Sequence, residues 1–542
     1  MPEGIAELAY CREFIPSADF AIGFVLGDVV ACVARELRAS ACFLLEIALA
    51  AAWRAGSGVK ARRFGMTMLP LWLSACTVGP DFTAPAVKIE RAWLTPRART
   101  AVPAGSVGAD RFWAGFHDKA LLRLLQMADA QSLTLQSTAE SIKQAQQQIR
   151  IDTANLLPTV AMNGASNYSQ PTIASSLQGQ NLGATTNQVL GMLSWELDFW
   201  GQVRRAIQAD TAALASSEYA YAAAKVSLEA SVASTYVNLR MTERLIEVNE
   251  ANLKEQAENR RVANAKFKAG FTSELDYSQA DTQYQQTRSL LPALRQSLMQ
   301  YQHALSVLLG ETPDYFVRHE PGNTGLPAIP RLLPIGAPKD LLRRRPDVLQ
   351  YELTAAQQSA RIGVQEAALY PSFSLTGEFG YSAPVSFANL FQWKNRVTAY
   401  GATMTLPIFD RDKLQSEVNI QDSVFRQAVL AYQNQVLTAQ QDVEDGLAQV
   451  KQQTELVSDD RKANDSAVET TQLSLKQYNA GQADFTTVST AEQTHQQTST
   501  GLVQAEAGLL QAYISTFRAI GGGWEPDDRP RPAVLASEGG VR

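Results

Sequence analysis

The sequence predicts an α+β chain in which one unit is written twice, each copy supplying a β-hairpin and a very long α-helical hairpin. Three observations predict it: an internal repeat, two pairs of segments with period-two polarity, and two long stretches almost free of glycine and proline.

The repeat sets the architecture, because a fixed period marks a reused structural unit. Ile151–Tyr168 matches Ile362–Tyr381, with Pro158 aligned to Pro371, 213 positions on. Phe267-Lys268-Ala269-Gly270 matches Tyr478-Asn479-Ala480-Gly481 at an offset of 211, and Leu309-Gly310 matches Ile520-Gly521 at the same offset. These anchors define copies at 113–310 and 340–524, joined by a linker at 311–339.

Each copy opens with a helical stretch that ends at its proline, and strands follow. Phe373, Leu375, Gly377, Phe379 and Tyr381 alternate with Ser372, Ser374, Thr376, Glu378, Gly380 and Ser382. Period two with one apolar face is the signature of a strand between an apolar medium and water. Val189, Leu193, Trp195, Leu197 and Phe199 alternate likewise with Gln188, Ser194, Glu196 and Asp198, although Leu190 and Met192 blur the polar face. The spacing predicts strands at about 159–170, 188–199, 372–383 and 396–408, with Ser/Gly/Asn-rich loops at 171–187 and 384–395. Four strands cannot close a membrane barrel, which needs about eight. An open edge in lipid leaves backbone groups unpaired. The strands therefore demand partner chains, and three chains would give a closed barrel of 12 strands. Trp195, Phe199, Trp200, Tyr370, Phe391 and Trp393 stand near strand ends, where aromatic girdles meet the membrane surface.

Long helices follow each hairpin. Gln202 to Lys268 holds no Pro and no Gly, and Arg411 to Asn479 holds only Gly446. Val429, Val436, Val443 and Val450 repeat every seven residues, with Tyr432, Ala439 and Gly446 three positions on. That is a coiled-coil seam with small residues that let helices approach. Helices at about 201–268 and 411–479 would each span about 100 Å at 1.5 Å per residue. Each stops near a glycine, Gly270 or Gly481, and a second helix returns at 273–309 or 485–520.

Composition excludes much. A net charge of −6 with 19% charged residues gives no basic face for nucleic acid. The cysteines are Cys11, Cys32, Cys42 and Cys76, so the body has no disulfide framework and no cysteine metal cluster. His117, His303, His319 and His495 lack metal spacing, and no nucleophile-elbow, P-loop or zinc-protease motif is present. No enzyme, metal or cofactor is expected. Beyond Cys76 no apolar stretch is long enough for a transmembrane helix.

The N-terminal region reads as a secretory signal. Lys60, Arg62 and Arg63 precede a short apolar run from Met66 to Leu73, and Ser74-Ala75 lead into Cys76. Residues 59–75 are thus expected to be removed. Residues 1–58 then lie upstream of the true start, near Val59 or Met66. Residues 76–112 form the mature N-terminal segment, and the Pro/Arg/Gly-rich 525–542 reads as a disordered tail.

Several segments together resemble those of outer-membrane efflux proteins, the TolC-like family, and within it the OprM-like (NodT-type) lipoproteins. They are Trp195-Glu196-Leu197-Asp198-Phe199-Trp200-Gly201, Leu341–Pro346 with Asp347, Tyr370-Pro371-Ser372-Phe373-Ser374-Leu375, Leu406-Pro407-Ile408-Phe409 and Gly521-Gly522-Gly523-Trp524. The likeness runs from Cys76 to about Trp524. Leu73-Ser74-Ala75-Cys76 resembles a lipobox, which implies that Cys76 is diacylated and becomes the first mature residue, with Thr77 after it permitting sorting to the outer membrane. The resemblance implies a homotrimer with a 12-stranded outer-membrane β-barrel, a periplasmic α-helical barrel and a mixed equatorial region. It implies a passive exit duct for drugs or other small molecules in a tripartite pump. The partners would be a periplasmic adaptor (membrane fusion protein) and an inner-membrane transporter of the resistance-nodulation-division class.

In this family the hairpin tips meet the adaptor, which carries over here to Gly270, Phe271, Gly481 and Gln482. Side chains near the tips close the periplasmic end. Where relatives carry a charged lock this chain has Thr486, Thr490 and Gln493, while Tyr478 is kept. An acidic constriction would then come from Asp276 or Asp281, a threefold carboxylate ring favouring cations. Two other readings share part of this pattern. A duct for type I protein secretion would share the fold, and a periplasmic coiled-coil adaptor would account for the helices but not for the strands.

Mass and N-terminal analysis of the mature protein should find a chain beginning at a diacylated Cys76, and Cys76→Ala should accumulate unprocessed precursor. A mature product that begins upstream of Cys76 would overturn the signal reading.

Overall fold

The repeat is visible in the lengths of its elements. The first copy runs through α1 (Ala109–Ala114), α2 (Lys119–Gln131), α3 (Leu133–Ala154), β1 (Thr159–Ser169), β2 (Ala184–Leu197), α4 (Gln202–Lys268) and α5 (Glu274–Leu308). The second runs through α6 (Pro346–Ala367), β3 (Ser372–Ala383), β4 (Arg396–Thr405), α7 (Arg411–Asn479) and α8 (Phe485–Ala519). Counterparts nearly agree: α3 and α6 have 22 residues each, α4 and α7 have 67 and 69, and α5 and α8 have 35 each. The structure, a computed structural model, describes residues 77–89, 93–94, 101–102, 109–170, 184–319, 322, 325–330, 333–334, 344–522 and 524. Cys76, the signal, the upstream extension and the C-terminal tail lie outside the described residues.

The strands form one antiparallel sheet in the order β1-β2-β3-β4. The central pair, β2 with β3, joins the two repeats, with Trp195 opposite Leu375 and Leu197 opposite Phe373. The register sorts the side chains onto two faces. Val160, Met162, Val189, Leu193, Trp195, Leu197, Phe373, Leu375, Phe379, Tyr381, Tyr400 and Met404 share one face. The other carries Asn163, Asn167, Gln188, Ser194, Ser374, Thr376, Thr403 and the carboxylates Glu196 and Glu378. One face suits lipid and the other water. Within one chain β1 and β4 are the sheet's outer strands, and each pairs on one side only.

Strand ends differ slightly from the periodicity, for local reasons. β2 begins at Ala184 rather than 188 and stops at Leu197. The Asp198 carboxylate accepts from the backbone N–H of Val203 and Arg204, which caps α4 and turns the chain out of the sheet. β4 stops at Thr405, two residues before Pro407, which has no N–H to pair. All four helix-linked strand ends lie at one end of the sheet, and the β1–β2 and β3–β4 connections lie at the other.

Below the sheet, α4 is the central packing element. Val232, Ala233, Tyr236, Val237 and Leu239 are buried against an aromatic group in which Phe112 stacks on Phe517 at 3.7 Å. Asp118 fixes the start of α2 by accepting from the N–H of Ala120 and Leu121, and it accepts from the Tyr236 hydroxyl at 2.7 Å. The valine seam of α7 forms as spaced, with Val436, Ala439, Val443 and Val450 buried. Gly446 lies where a Cβ would stand 2.7 Å from Oγ1 of Thr516, so the absence of a side chain there lets α7 and α8 pack closely.

The second repeat is clamped to itself by Arg345. Its guanidinium donates to both carboxylate oxygens of Asp347, to Asp442, and to the carbonyls of Ala439 and Ala519. One buried cation thus ties the start of α6 to α7 and to the end of α8. Arg345→Ala would strand Asp347 and two carbonyls, at a cost on the order of 3 kcal/mol. Urea unfolding of detergent-extracted protein checks this, and a loss below about 1 kcal/mol would show that the clamp is not structural.

Candidate functional site

The end of the helical hairpins is built by two matching turns. Gly270 and Gly481 adopt φ of 75° and 71°, and a Cβ on either would meet nothing within 4 Å. Gly270 N–H donates to Phe267 O and Phe271 N–H to Lys266 O. Gly481 N–H donates to Tyr478 O and Gln482 N–H to Gln477 O. Both are Schellman turns, which need a left-handed residue and so favour glycine. The tips differ in chemistry: Phe271 is 81% exposed, while Gln482 is a polar exposed side chain at the matching place.

Above the tips a small core holds the hairpins together. Ala263, Ala280, Tyr478, Phe485 and Val488 form it. Tyr478 is 3% exposed, its ring lies edge-on to Phe485, and Lys266 Nζ sits 3.9 Å over its centre while donating to Tyr478 O. Burial and the Asp276 charge raise its phenol, against the Thr272 hydroxyl. Tyr478, expected among the residues lining the aperture, is instead a packing residue of the tip core. The reason is its position on the face of α7 that meets α8.

The other expected residues are placed as follows. Asp276 lies in the first turn of α5, next to tip one. Asp281 is paired at 3.0 Å with Arg260 of α4, whose guanidinium also lies over the Tyr284 ring, so its charge is met within the chain. Thr486 and Thr490 are exposed on the first turns of α8, with Thr486 donating to Gln279. Gln493 donates to Gln283 at 3.0 Å.

Gln493 belongs to a polar seam that the sequence reading missed. Asn249, Asn252, Gln256 and Asn259 of α4 are spaced by three, four and three residues, which places them on one face, and the first three are buried. Gln283 and Thr287 of α5 both donate to Gln496 of α8, and Gln496 donates to Asn249. Glu492, 7% exposed, accepts a short hydrogen bond from Asn259. Burial pushes its carboxyl up to about 7; the Asn259 hydrogen bond opposes the rise and the Glu255 charge adds to it. The seam was legible as a heptad face whose interior positions are amides. In the second repeat the matching region is an open groove lined by Ala463, Ala467, Thr470, Ser474, Thr490 and Thr494.

Comparison with known proteins agrees with this architecture. The family model for outer membrane efflux proteins matches residues 124–311 and 337–522. Nodulation protein T of Rhizobium leguminosarum bv. trifolii is 27% identical over 468 residues, covering 86% of this chain and 98% of that protein. The antibiotic efflux pump outer membrane protein ArpC of Pseudomonas putida is 28% identical over 467 residues, covering 83% of this chain and 93% of that protein. The solved outer-membrane channel OprN superposes with a TM-score of 0.76 at 25% identity, covering 83% of this chain and all of that one.

The buried Glu492 sets a pH dependence. Its folded value lies above the unfolded value of 4.5, so the folded chain holds the proton more tightly. That stabilisation is whole below about pH 4.5 and is lost as pH rises through about 7. Heat-denaturation midpoints of purified protein should fall across this window, and Glu492→Gln should flatten the fall. A profile unchanged in Glu492→Gln would show that another group carries the dependence.

Proposed function

The chain belongs to the outer membrane efflux protein family, and from that premise we propose that it is the outer-membrane exit duct of a tripartite efflux system, assembled as a homotrimer. The observation that carries this reading is the sheet. It has one apolar face, one polar face and an outer strand at each edge, and it continues at one end into helical hairpins whose first helices have 67 and 69 residues and whose returning helices have 35 each. Three copies would close β1 of one chain on β4 of the next into 12 strands, apolar side outward. The polar face, with Glu196 and Glu378, would then line a water-filled lumen.

The hairpins would extend that lumen by about 100 Å toward the transporter. Exposed apolar side chains along α7, among them Leu430, Leu437 and Leu456, support lateral contact with a neighbouring copy. A periplasmic adaptor would dock on the tips, at Gly270 and Phe271 and at Gly481 and Gln482. An inner-membrane transporter of the resistance-nodulation-division class would supply the energy. The duct conducts drugs or other small molecules passively and has no catalytic role. At the closed end Asp276 is the acidic aperture candidate, because Asp281 already pairs with Arg260. Thr486, Thr490 and Gln493 offer polar neighbours.

A lipid on Cys76 would tether the N-terminus at the foot of the barrel. Val78 N–H donates to Trp200 O at 3.1 Å, and Arg205 donates to the carbonyls of Val78 and Gly79. The chain is thus pinned two residues past Cys76, at the β2–α4 junction.

Expression in a Gram-negative strain lacking its own efflux duct, with the cognate adaptor and transporter, should restore drug resistance. The membrane extract should yield a heat-labile trimer rich in β signal. A monomer without β signal, or no gain in resistance with all three components present, would overturn the reading.

A further inference from the structure

Charge along the two β-hairpins is distributed very unevenly. No charged residue stands between Asp152 and Glu196, and between Glu378 and Asp410 the only ones are Lys394 and Arg396. Arg396 opens β4 and pairs with Tyr381, the last rung of the β3–β4 pair on the side away from the helices. The end of the sheet opposite the helices therefore carries two cations per chain and no carboxylate.

The register also says which way this cluster faces. Arg396 lies on the same face as Tyr381, Phe379 and Tyr400, the apolar one. Around it are exposed aromatics: Phe387, Phe391 and Trp393, with Trp393 66% exposed. Phe391 packs edge-on to Tyr381 and Phe387, and the Arg396 guanidinium lies 4.6 Å over the Trp393 ring. Arg396 spends one N–H on the Trp393 carbonyl at 3.0 Å, which leaves most of its fork free. Neither Lys394 nor Arg396 forms an ion pair among the described residues.

An aromatic belt marks the depth of the membrane surface, and the lipid groups at that depth are headgroups. A guanidinium fork and an ammonium set there, without competing carboxylates, match a phosphate. We propose that Lys394 and Arg396, with Trp393, form a docking surface for an outer-leaflet lipid headgroup with net-anionic phosphate monoesters, as distinct from a zwitterionic phosphodiester headgroup, repeated once per chain around the barrel rim. The inference rests on the trimeric-barrel reading above. The lipid would strengthen the rim by holding the β3–β4 turn against the membrane surface.

The test uses the full-length trimer, wild type and Lys394→Gln/Arg396→Gln, in three kinds of vesicle. These are phosphatidylcholine alone, phosphatidylcholine with lipid A, and phosphatidylcholine with dephosphorylated lipid A. The readouts are the temperature at which the trimer dissociates and the lipid A retained per trimer in native mass spectrometry. Wild type should gain several degrees with lipid A alone, and the double variant should lose more than half of that gain and of the retained lipid. In plain phosphatidylcholine the two proteins should match. An equal gain in the double variant, an equal gain with dephosphorylated lipid A, or the same gain from inorganic phosphate in plain vesicles would each overturn the proposal. A stable trimer indifferent to lipid A overturns this inference only, whereas a chain that is monomeric in every vesicle overturns the barrel reading with it.

Discussion

A sheet placed in hydrocarbon cannot keep an open edge, because each unpaired backbone N–H or C=O there costs several kcal/mol. The chain meets that constraint halfway. Its two hairpins are joined through β2 and β3, so the inner edges satisfy each other, while β1 and β4 remain as outer strands of 11 and 10 residues. Duplication is the economical answer, since one hairpin alone is barely stable and would leave twice as many edges per strand. In a membrane the same constraint would be met by closure with other copies. The helices inherit their places from it, because each strand end fixes where α4 and α7 must begin.

The fold was legible in the sequence where a local pattern is long and unmixed. Period two over Ser372–Tyr381 gave strand β3 its bounds, and the near absence of Gly and Pro from Gln202 to Lys268 and from Arg411 to Asn479 gave the long helices theirs. The tip glycines were legible because a helix of that length must stop at something, and glycine adopts the φ of 75° and 71° found there at the least steric cost. The site was legible in part. Asp281 looked free along the chain, yet Arg260 lies on the antiparallel helix, and only the hairpin's register brings the two to 3.0 Å. Tyr478 looked like an aperture residue by its place beside the tip, but its side of α7 is the side that packs. Glu492 gave no local sign at all, since its burial is made by α4 and not by its own neighbours in sequence.

The two copies share a backbone and differ in chemistry where they approach the tips. The first fills its seam with Asn249, Asn252 and Gln256, and the second lines the matching place with Ala463, Ala467 and Thr470. Tip one presents Phe271, an apolar knob, and tip two presents Gln482. A pseudo-twofold frame therefore offers two unlike ends to whatever meets it. Six tips in a trimer would alternate rather than repeat, and one adaptor surface would not suit both kinds equally.

Cohesion also changes along the hairpins. At mid-length of α4 and α7 the helices meet through Val232, Tyr236, Val237, Val443, Leu447 and Val450, an apolar interface of the kind that opens only with global unfolding. Toward the tips the same faces turn to amides, hydroxyls and alanines. Asn252 Nδ2 and Gln256 Oε1 are buried without hydrogen-bond partners among the described residues. A buried amide left unsatisfied costs about 1–3 kcal/mol, so this stretch is held less firmly than its length suggests. An amide seam can exchange partners at little cost because each Gln or Asn offers both a donor and an acceptor, whereas a valine seam must lose its packing before it can move. The polar seam therefore leaves the tip-proximal part of the hairpins easier to rearrange than their apolar middle, a grading that would suit a tube closed at its tip end, because such a tube could open there without its middle coming apart.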